Sequence, residues 1–327
     1  MRVDEQTLLV RLQRGLPLAR RPFEALADEL GCREADVLAF VEKLRGQGLV
    51  RRFGAVFDTR RLGYRSVLCA AQVPAEACAE AAARLTPLKG VTHCYLRERL
   101  DLAAGAVVPS SFPNLWFTLS YPSDVFAAIA DEVRARLWPH ALDFLPATRR
   151  YKIDVVFGAA TRAREEEVSE ESPLTATDRA VVRVLQGDTV LRADYFAGLA
   201  EQAGVTEWDL LSRLEIWRRT GRLKRIGLLL AHRAAGWTAN GMCCWSVAGD
   251  TTEKGRALAA CAEVTHCYER PAAATFPYNL FAMVHAHALD EAAAQFNRLQ
   301  TAAGLSDGVL LVSTHEYKKT SMTFFVD

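Results

Sequence analysis

Apolar positions recur at helical spacing three times near the start of the chain. Leu8, Leu9 and Leu12 fit a short helix. Pro22 stands where the first turn of a second helix, 23–30, tolerates proline, and Gly31 ends it. Val37, Leu38, Val41 and Leu44 mark a third helix, broken by Gly46 and Gly48. Residues 50–58 then read as a strand of a wing. Helix, helix, glycine turn, helix and wing is the order of a winged helix-turn-helix. The pattern changes beyond it. Strands are predicted at 67–73, 91–97, 115–120 and 144–156, with helices at 76–85 and 125–138. That β-α-β-β-α-β order is a ferredoxin-like sandwich.

The whole pattern occurs twice. Arg52-Phe53-Gly54 matches Arg225-Ile226-Gly227, and Thr92-His93-Cys94-Tyr95 matches Thr265-His266-Cys267-Tyr268, both 173 residues apart. The spacing falls to 165 between Asn114 and Asn279, so the first copy carries extra residues around 102–110. Tyr151-Lys152 matches Tyr317-Lys318. In the second copy Thr206-Glu207-Trp208-Asp209 is a capping box at the head of its third helix. The chain therefore reads as α+β, a tandem repeat. Winged helix-turn-helices are expected at 1–60 and 177–233, sandwiches at 61–158 and 234–327, and a linker at 159–176. The linker is rich in charge and has no aromatic residue.

Composition narrows the function. The 327 residues are 50% apolar and 24% charged with a net charge of +1, an ordinary soluble balance and not that of a protein wrapped by polyanion. No signal peptide or membrane-length apolar run is visible, so a cytoplasmic protein without membrane attachment is expected. The eight cysteines form no C-x-x-C pair, which predicts reduced thiols and no zinc site. A helix-turn-helix suggests DNA, but the third helices begin Arg33-Glu34-Ala35-Asp36 and Thr206-Glu207-Trp208-Asp209. Carboxylates there oppose phosphate contacts, and the Arg, Asn or Gln set favoured for base readout is missing. DNA binding is not expected.

Strand alternation places His93, Tyr95 and Arg97 on one face, with Thr92, Cys94 and Leu96 turned to a core. His266, Tyr268 and Arg270 repeat the arrangement. A proton carrier, a phenol and a guanidinium on one face can form an anion site, since arginine grips carboxylates bidentately. The alternative is a polar outer sheet face. Asn114 and Trp116, like Asn279 and Phe281, share a face that suits either a flat ligand or plain sheet packing. His285 and His287 continue that face, as a metal pair or as ordinary hydrogen-bonded histidines. Basic residues cluster at Arg51-Arg52, Lys224-Arg225, Arg149-Arg150 with Lys152, and Lys318-Lys319. Together they suit a ligand with several carboxylates.

The winged helix joined to this sandwich resembles the Lrp/AsnC regulators. Arg-Phe-Gly-Ala-Val at 52–56, Gly-Val-Thr-His-Cys-Tyr-Leu-Arg at 90–97, Asn-Leu-Trp-Phe-Thr at 114–118 and His-Glu-Tyr-Lys-Lys-Thr-Ser-Met at 315–322 resemble the siroheme decarboxylases. The resemblance covers nearly the whole chain. It implies removal of two acetate carboxylates from siroheme, giving didecarboxysiroheme, in heme d1 or alternative heme biosynthesis. It implies no organic cofactor and no metal held by the protein, the iron being part of the substrate. The two subunits of such an enzyme would be fused here as an internal pseudo-dimer, which can pair again as a homodimer. In that reading the basic residues and Arg97 and Arg270 hold carboxylates. His93 or His266 ligates iron or delivers the proton, and Tyr95 or Tyr268 is an alternative donor. His315 is a further catalytic candidate, and its counterpart in the first copy is Arg149, so the halves differ. Two other readings stay open: a tetrapyrrole-responsive transcription regulator and a non-catalytic tetrapyrrole carrier.

Overall fold

The computed structural model describes residues 4–109, 111–153, 173–231 and 237–326. The first copy opens with α1 (Glu5–Arg14), α2 (Pro22–Leu30) and α3 (Glu34–Gly46). Asp4 caps α1 by accepting from the Thr7 N–H at 2.9 Å, and Gly31 ends α2 in the left-handed region. Then come β1 (Val50–Phe57), β2 (Tyr64–Gln72), α4 (Cys78–Leu85), β3 (Val91–Asp101) and β4 (Ala106–Val108). β5 (Leu115–Pro122), α5 (Phe126–Leu137), β6 (Ala141–Pro146) and β7 (Arg149–Ile153) complete it. The second copy has α6 (Ala176–Leu185), α7 (Tyr195–Ala203), α8 (Glu207–Arg219), β8 (Leu223–Leu230) and β9 (Ala239–Trp245). It ends with α9 (Thr252–Ala260), β10 (Val264–Glu269), β11 (Leu280–Ala286), α10 (Leu289–Ala302) and β12 (Gly308–Lys319).

Three features depart from the sequence expectation. The extra residues of the first copy lengthen β3 and fold back as β4, and Asp101 closes the turn by accepting from the Ala103 and Ala104 N–H groups. The expected final strand of the first copy is two pieces, β6 and β7, separated by Ala147 and Thr148; residues 154–156 and most of the linker lie outside the described residues. The wings are the third departure. β1 finds its partner in the other copy, pairing antiparallel with β8 so that Gly54 faces Gly227. A hydrophobic pattern specifies a strand but not which chain segment completes its ladder.

That pairing fuses the two helical domains. Their buried residues form one core, in which the rings of Phe23, Phe53 and Tyr195 meet with centroids 5.7–6.0 Å apart. The wing glycines explain themselves here. A Cβ on Gly54 would lie 2.3 Å from the Gly187 carbonyl beyond α6, and one on Gly227 would lie 2.4 Å from the Leu12 carbonyl in α1. Each wing runs beneath the first helix of the other copy, where only glycine fits.

The sandwiches exchange strands as well. The large sheet runs β6-β2-β5-β3-β12-β9-β11-β10-β7. Since β6 and β7 are nearly continuous, the order closes on itself. β12 pairs with β9 of its own copy and β3 of the other, and β7 pairs with β10 of the other copy. Separate apolar clusters lie under α4 with α5 and under α9 with α10. A third cluster, with Trp116, Phe276 and Phe281, fills part of the space between the two copies' strands.

Gly54→Ala is expected to destabilise the protein by about 1–3 kcal/mol through overpacking. Gly46→Ala, with nothing within 4 Å of its added Cβ, serves as the control. Urea unfolding of both checks this, and equal midpoints would contradict the close approach.

Candidate active site

β3 and β10 carry the same ladder. The His93 and Tyr95 rings lie 6.1 Å apart, and the Arg97 guanidinium sits over Tyr95 at 5.2 Å. His266 and Tyr268 lie 6.2 Å apart, and Arg270 sits over Tyr268 at 4.8 Å. Each arginine reaches into the other copy, Arg97 donating to the Asn240 carbonyl and side chain and Arg270 to the Leu145 carbonyl. Among the described residues neither has a carboxylate partner. Burial lowers the pKa of Arg97 to about 10. These are cations kept out of water and left uncompensated, the condition in which an incoming carboxylate is bound strongly.

The alternation expected around Thr92 fails for a local reason. β3 slips register between Val91 and Cys94, and β10 slips between Val264 and His266. Val91 and Cys94 both enter the core under the helices, so Thr92 is displaced from the face assigned to it. The bulge brings Thr92 Oγ1 to 3.0 Å from His93 Nδ1, and Thr265 Oγ1 to 3.1 Å from His266 Nδ1. Thr92 is held in turn by Thr118, hydroxyl to hydroxyl at 2.8 Å. The threonines fix each imidazole and occupy Nδ1, so Nε2 is the nitrogen a ligand can meet. The repeated Thr-His pair was visible in sequence, but its bulge was not.

Both histidines are held neutral. Burial, reinforced by the positive charges of Arg51, Lys319 and Arg97, presses the His93 pKa down to about 3, and His266 would act in the same direction when protonated. Burial, with Lys224 and Arg270, lowers that of His266 to about 4. Burial also raises Tyr268, so its phenol keeps its proton.

Strand exchange then sets the neighbours. In register, Glu316 of β12 lies opposite Tyr95, and Lys319 opposite His93. Tyr95, Glu316 and Lys319 line a cleft with Trp237, Asn240 and His285. Burial lowers the pKa of Arg51, Tyr95 and Glu316 oppose that shift, and its guanidinium stays cationic. On the other side Arg150 of β7 lies opposite Tyr268. Its Nη1 is 2.9 Å from Asp58 Oδ2, and Lys224 Nζ is 3.7 Å from the same oxygen. Burial opposes ionisation of Asp58, but Arg60, Lys224 and Arg150 more than offset it and hold its pKa well below the usual carboxylate range. Glu316, Asp58 and the two threonines were not singled out in sequence. Comparing the copies position by position would have exposed the first two, because Arg150 answers to Glu316 and Ala231 to Asp58.

Other candidates are placed elsewhere. Asn114 uses both ends of its amide on the Val73 backbone, and Asn279 does the same on Val247, so each is a clamp between strands and not a pocket wall. Trp116 and Phe281 are fully buried in the inter-strand core, Trp116 donating to the Pro113 carbonyl. Lys152 donates to the Cys261 carbonyl, and Lys318 to those of Thr86 and Leu88, so both tie down turns behind the sheet. Arg149 is drawn outward to Asp250, Thr252 and Glu269. His315 is exposed beside Tyr317, whose ring packs on the outer core, and so stands apart from the His-Tyr-Arg ladders. Arg52 donates to Ser321 and the Ala55 carbonyl, with a pKa lowered to about 10 by burial and by Arg51 and Arg225. Arg225 follows Lys224 on the wing and packs its Cβ on Gly15. His287 stacks on Trp237 at 4.3 Å. Among the described residues no group of His, Cys, Asp and Glu is arranged to hold a metal, and all eight cysteines are free thiols. Nor is any described helix long and apolar enough to cross a membrane.

Comparison with known proteins agrees with this architecture. Residues 61–152 and 234–318 match the AsnC-like ligand binding domain, and residues 5–51 match the siroheme decarboxylase NirDL-like HTH domain. The chain is 34% identical to a siroheme decarboxylase of Hydrogenobacter thermophilus over 97% of its own length and 94% of that protein. A siroheme decarboxylase beta subunit of Methanosarcina barkeri is 36% identical, and 97% of it aligns with 45% of this chain, so one half here corresponds to a whole subunit there. The crystal structure of the siroheme decarboxylase NirDL superposes with a TM-score of 0.75 at 29% identity, covering 99% of this chain and 95% of that one. A second crystal structure of that enzyme, equally similar, is a co-complex with an iron-uroporphyrin III analogue. The family models and the extent of these matches place the chain in the siroheme decarboxylase family.

Proposed function

We propose that the chain removes two acetate carboxylates from siroheme as carbon dioxide, with no organic cofactor. The observation that carries this reading is the pair of buried, carboxylate-free arginines, Arg97 and Arg270, each stacked on a tyrosine beside a neutral histidine. Siroheme brings many carboxylates, and Arg51, Arg97 and Lys319 supply cations for those that are retained. Breaking the acetate C–C bond leaves its electron pair on a methylene next to a pyrrole, where the macrocycle can delocalise it. The protein's tasks are orientation, exclusion of water and delivery of one proton to that methylene, which becomes a methyl group. His93 Nε2 or the Tyr95 phenol donates that proton; an imidazole that instead ligates the substrate iron remains neutral.

Anaerobic incubation with siroheme, followed by mass spectrometry of the tetrapyrrole, tests the reading. Successive loss of one and two carbon dioxide units is expected, and return of bound siroheme unchanged would identify a carrier. His93→Ala is expected to slow turnover by roughly 100-fold or more, the scale of general acid catalysis, and His266→Ala by less. Negligible loss in both would remove the histidines from the mechanism.

Charge linkage gives a further outcome. Positive neighbours and burial keep His93 and His266 neutral at pH 6, below the ordinary histidine pKa of about 6.5. Substrate carboxylates reverse that field, so the pKa rises on binding and up to about one proton is taken up. Calorimetry at pH 6 in two buffers of different ionisation enthalpy measures it. Uptake that disappears in His93→Gln marks His93 as the donor, whereas no uptake in the wild type assigns the histidines to neutral ligation.

A further inference from the structure

The two ladders match in geometry, but the hydrogen bonds behind their histidines run in opposite directions. Burial and nearby cations keep both imidazoles neutral, so each ring carries one hydrogen. The bond made at Nδ1 decides which nitrogen carries it. In both copies Nδ1 meets a threonine hydroxyl, 3.0 Å away in Thr92 and 3.1 Å away in Thr265. A hydroxyl has one hydrogen to donate and lone pairs with which to accept, so its second partner sets the direction.

In the second copy that partner leaves no choice. Thr265 Oγ1 lies 3.1 Å from the Met283 carbonyl, which can only accept. The hydroxyl hydrogen goes there, so His266 must supply the hydrogen at Nδ1, and its Nε2 presents a lone pair. The first copy has Thr118 where the second has Met283, 165 residues apart like Asn114 and Asn279. Thr118 Oγ1 accepts from the His93 backbone N–H at 3.2 Å and lies 2.8 Å from Thr92 Oγ1. Among the described residues no other acceptor meets this hydroxyl. Its hydrogen therefore goes to Thr92 Oγ1, and the hydrogen of Thr92 goes to His93 Nδ1. The reverse order would leave the half-buried Thr118 hydroxyl with an unused donor, which folded proteins rarely keep. His93 Nδ1 is then an acceptor, and its Nε2 carries the hydrogen.

We propose that Thr92 and Thr265 set opposite tautomers, so that His93 meets the tetrapyrrole with an N–H and His266 meets it with a lone pair. Thr118 and the Met283 carbonyl fix the direction of each. This rests on the tetrapyrrole reading above and deepens it, because it gives different tasks to two imidazoles that act on one another electrostatically. Histidines that bind a metal ordinarily place their other ring N–H on a fixed acceptor. The run from His266 Nδ1 through the Thr265 hydroxyl to the Met283 carbonyl has that polarity, so His266 is the residue that ligates the substrate iron. The run behind His93 has the opposite polarity, and His93 faces the substrate as a hydrogen-bond donor. Thr92 and Thr265 act through the imidazoles, as positioning residues.

The test is NMR of the full chain without ligand, its histidine rings labelled with nitrogen-15, at about pH 8, above the ordinary histidine pKa. A ring nitrogen that bears hydrogen and one that bears a lone pair resonate far apart. His93→Gln and His266→Gln identify the two sets of signals. The hydrogen is expected on Nε2 of His93 and on Nδ1 of His266, and one tautomer shared by both overturns the proposal. Thr265→Val, which keeps the shape and removes the hydroxyl, should move the His266 signals toward the other tautomer and leave those of His93 in place. Thr265→Ser should restore them. Thr92→Val asks the same of His93 and covers the case in which Thr265→Val unfolds. Unmoved signals of the partnered histidine in a folded valine variant overturn the proposal. Titration with ferric iron-uroporphyrin, followed by its visible spectrum, checks the roles. A nitrogen-ligated spectrum is expected from the wild type and His93→Gln but not from His266→Gln. Thr265→Val should weaken binding about fivefold, the scale of one hydrogen bond. Ligation that is absent from the wild type, or lost in His93→Gln and kept in His266→Gln, would overturn the assignment of roles. Because the tautomers are read without ligand, opposite tautomers in a protein that leaves siroheme intact sink the functional reading alone.

Discussion

Strand exchange between the two copies is the constraint on which the rest of this molecule depends. β7 leaves the first copy to pair with β10, and β12 crosses to pair with β3. Without these crossings each sandwich would end on an open edge, with backbone donors and acceptors unpaired. With them the strands close into a ring whose interior is shared. The crossings also choose the neighbours of each ladder. Glu316 comes to Tyr95 and Arg150 to Tyr268 because the final strand of one copy is completed on the other. Chemistry and stability therefore use the same hydrogen bonds.

The helical domains obey the same logic. A wing strand alone is a single ribbon, and pairing β1 with β8 gives both a partner and a common core. Gly54 and Gly227 permit the approach. A helix-turn-helix used in this way is an assembly device. The acidic starts of its third helices are engaged within the protein, Glu34 with Arg21, Asp36 with Arg33 and Glu207 with Arg20. Those pairs complement helix N-termini and surface arginines, as exposed ion pairs commonly do.

Burial gives the interior its chemical character. Guanidinium groups lie over tyrosine rings and bond to backbone oxygens, and imidazoles are kept neutral by the cations around them. Such a field is costly to maintain and is relieved by an anion. Asp58 meets part of it at Arg150 and Lys224, and Glu316 lies opposite Tyr95 on the other ladder. The two ladders thus share their geometry and differ in the charged residues around them.

The sequence alone determined the duplication, the order of elements and the His-Tyr-Arg ladders, because these rest on periodicity and local spacing. It also carried the family, through motifs spread over nearly the whole chain. Tertiary structure alone decided who partners whom. That the wings pair with each other, that Asn114 and Asn279 clamp backbone, that Lys152 and Lys318 secure turns and that His315 faces outward all follow from contacts between residues far apart in sequence. The bulge that swings Thr92 and Thr265 onto their histidines is likewise a matter of register, which a one-residue slip changes without altering composition. Periodicity says which way a side chain points from its own strand; only packing says what it meets there.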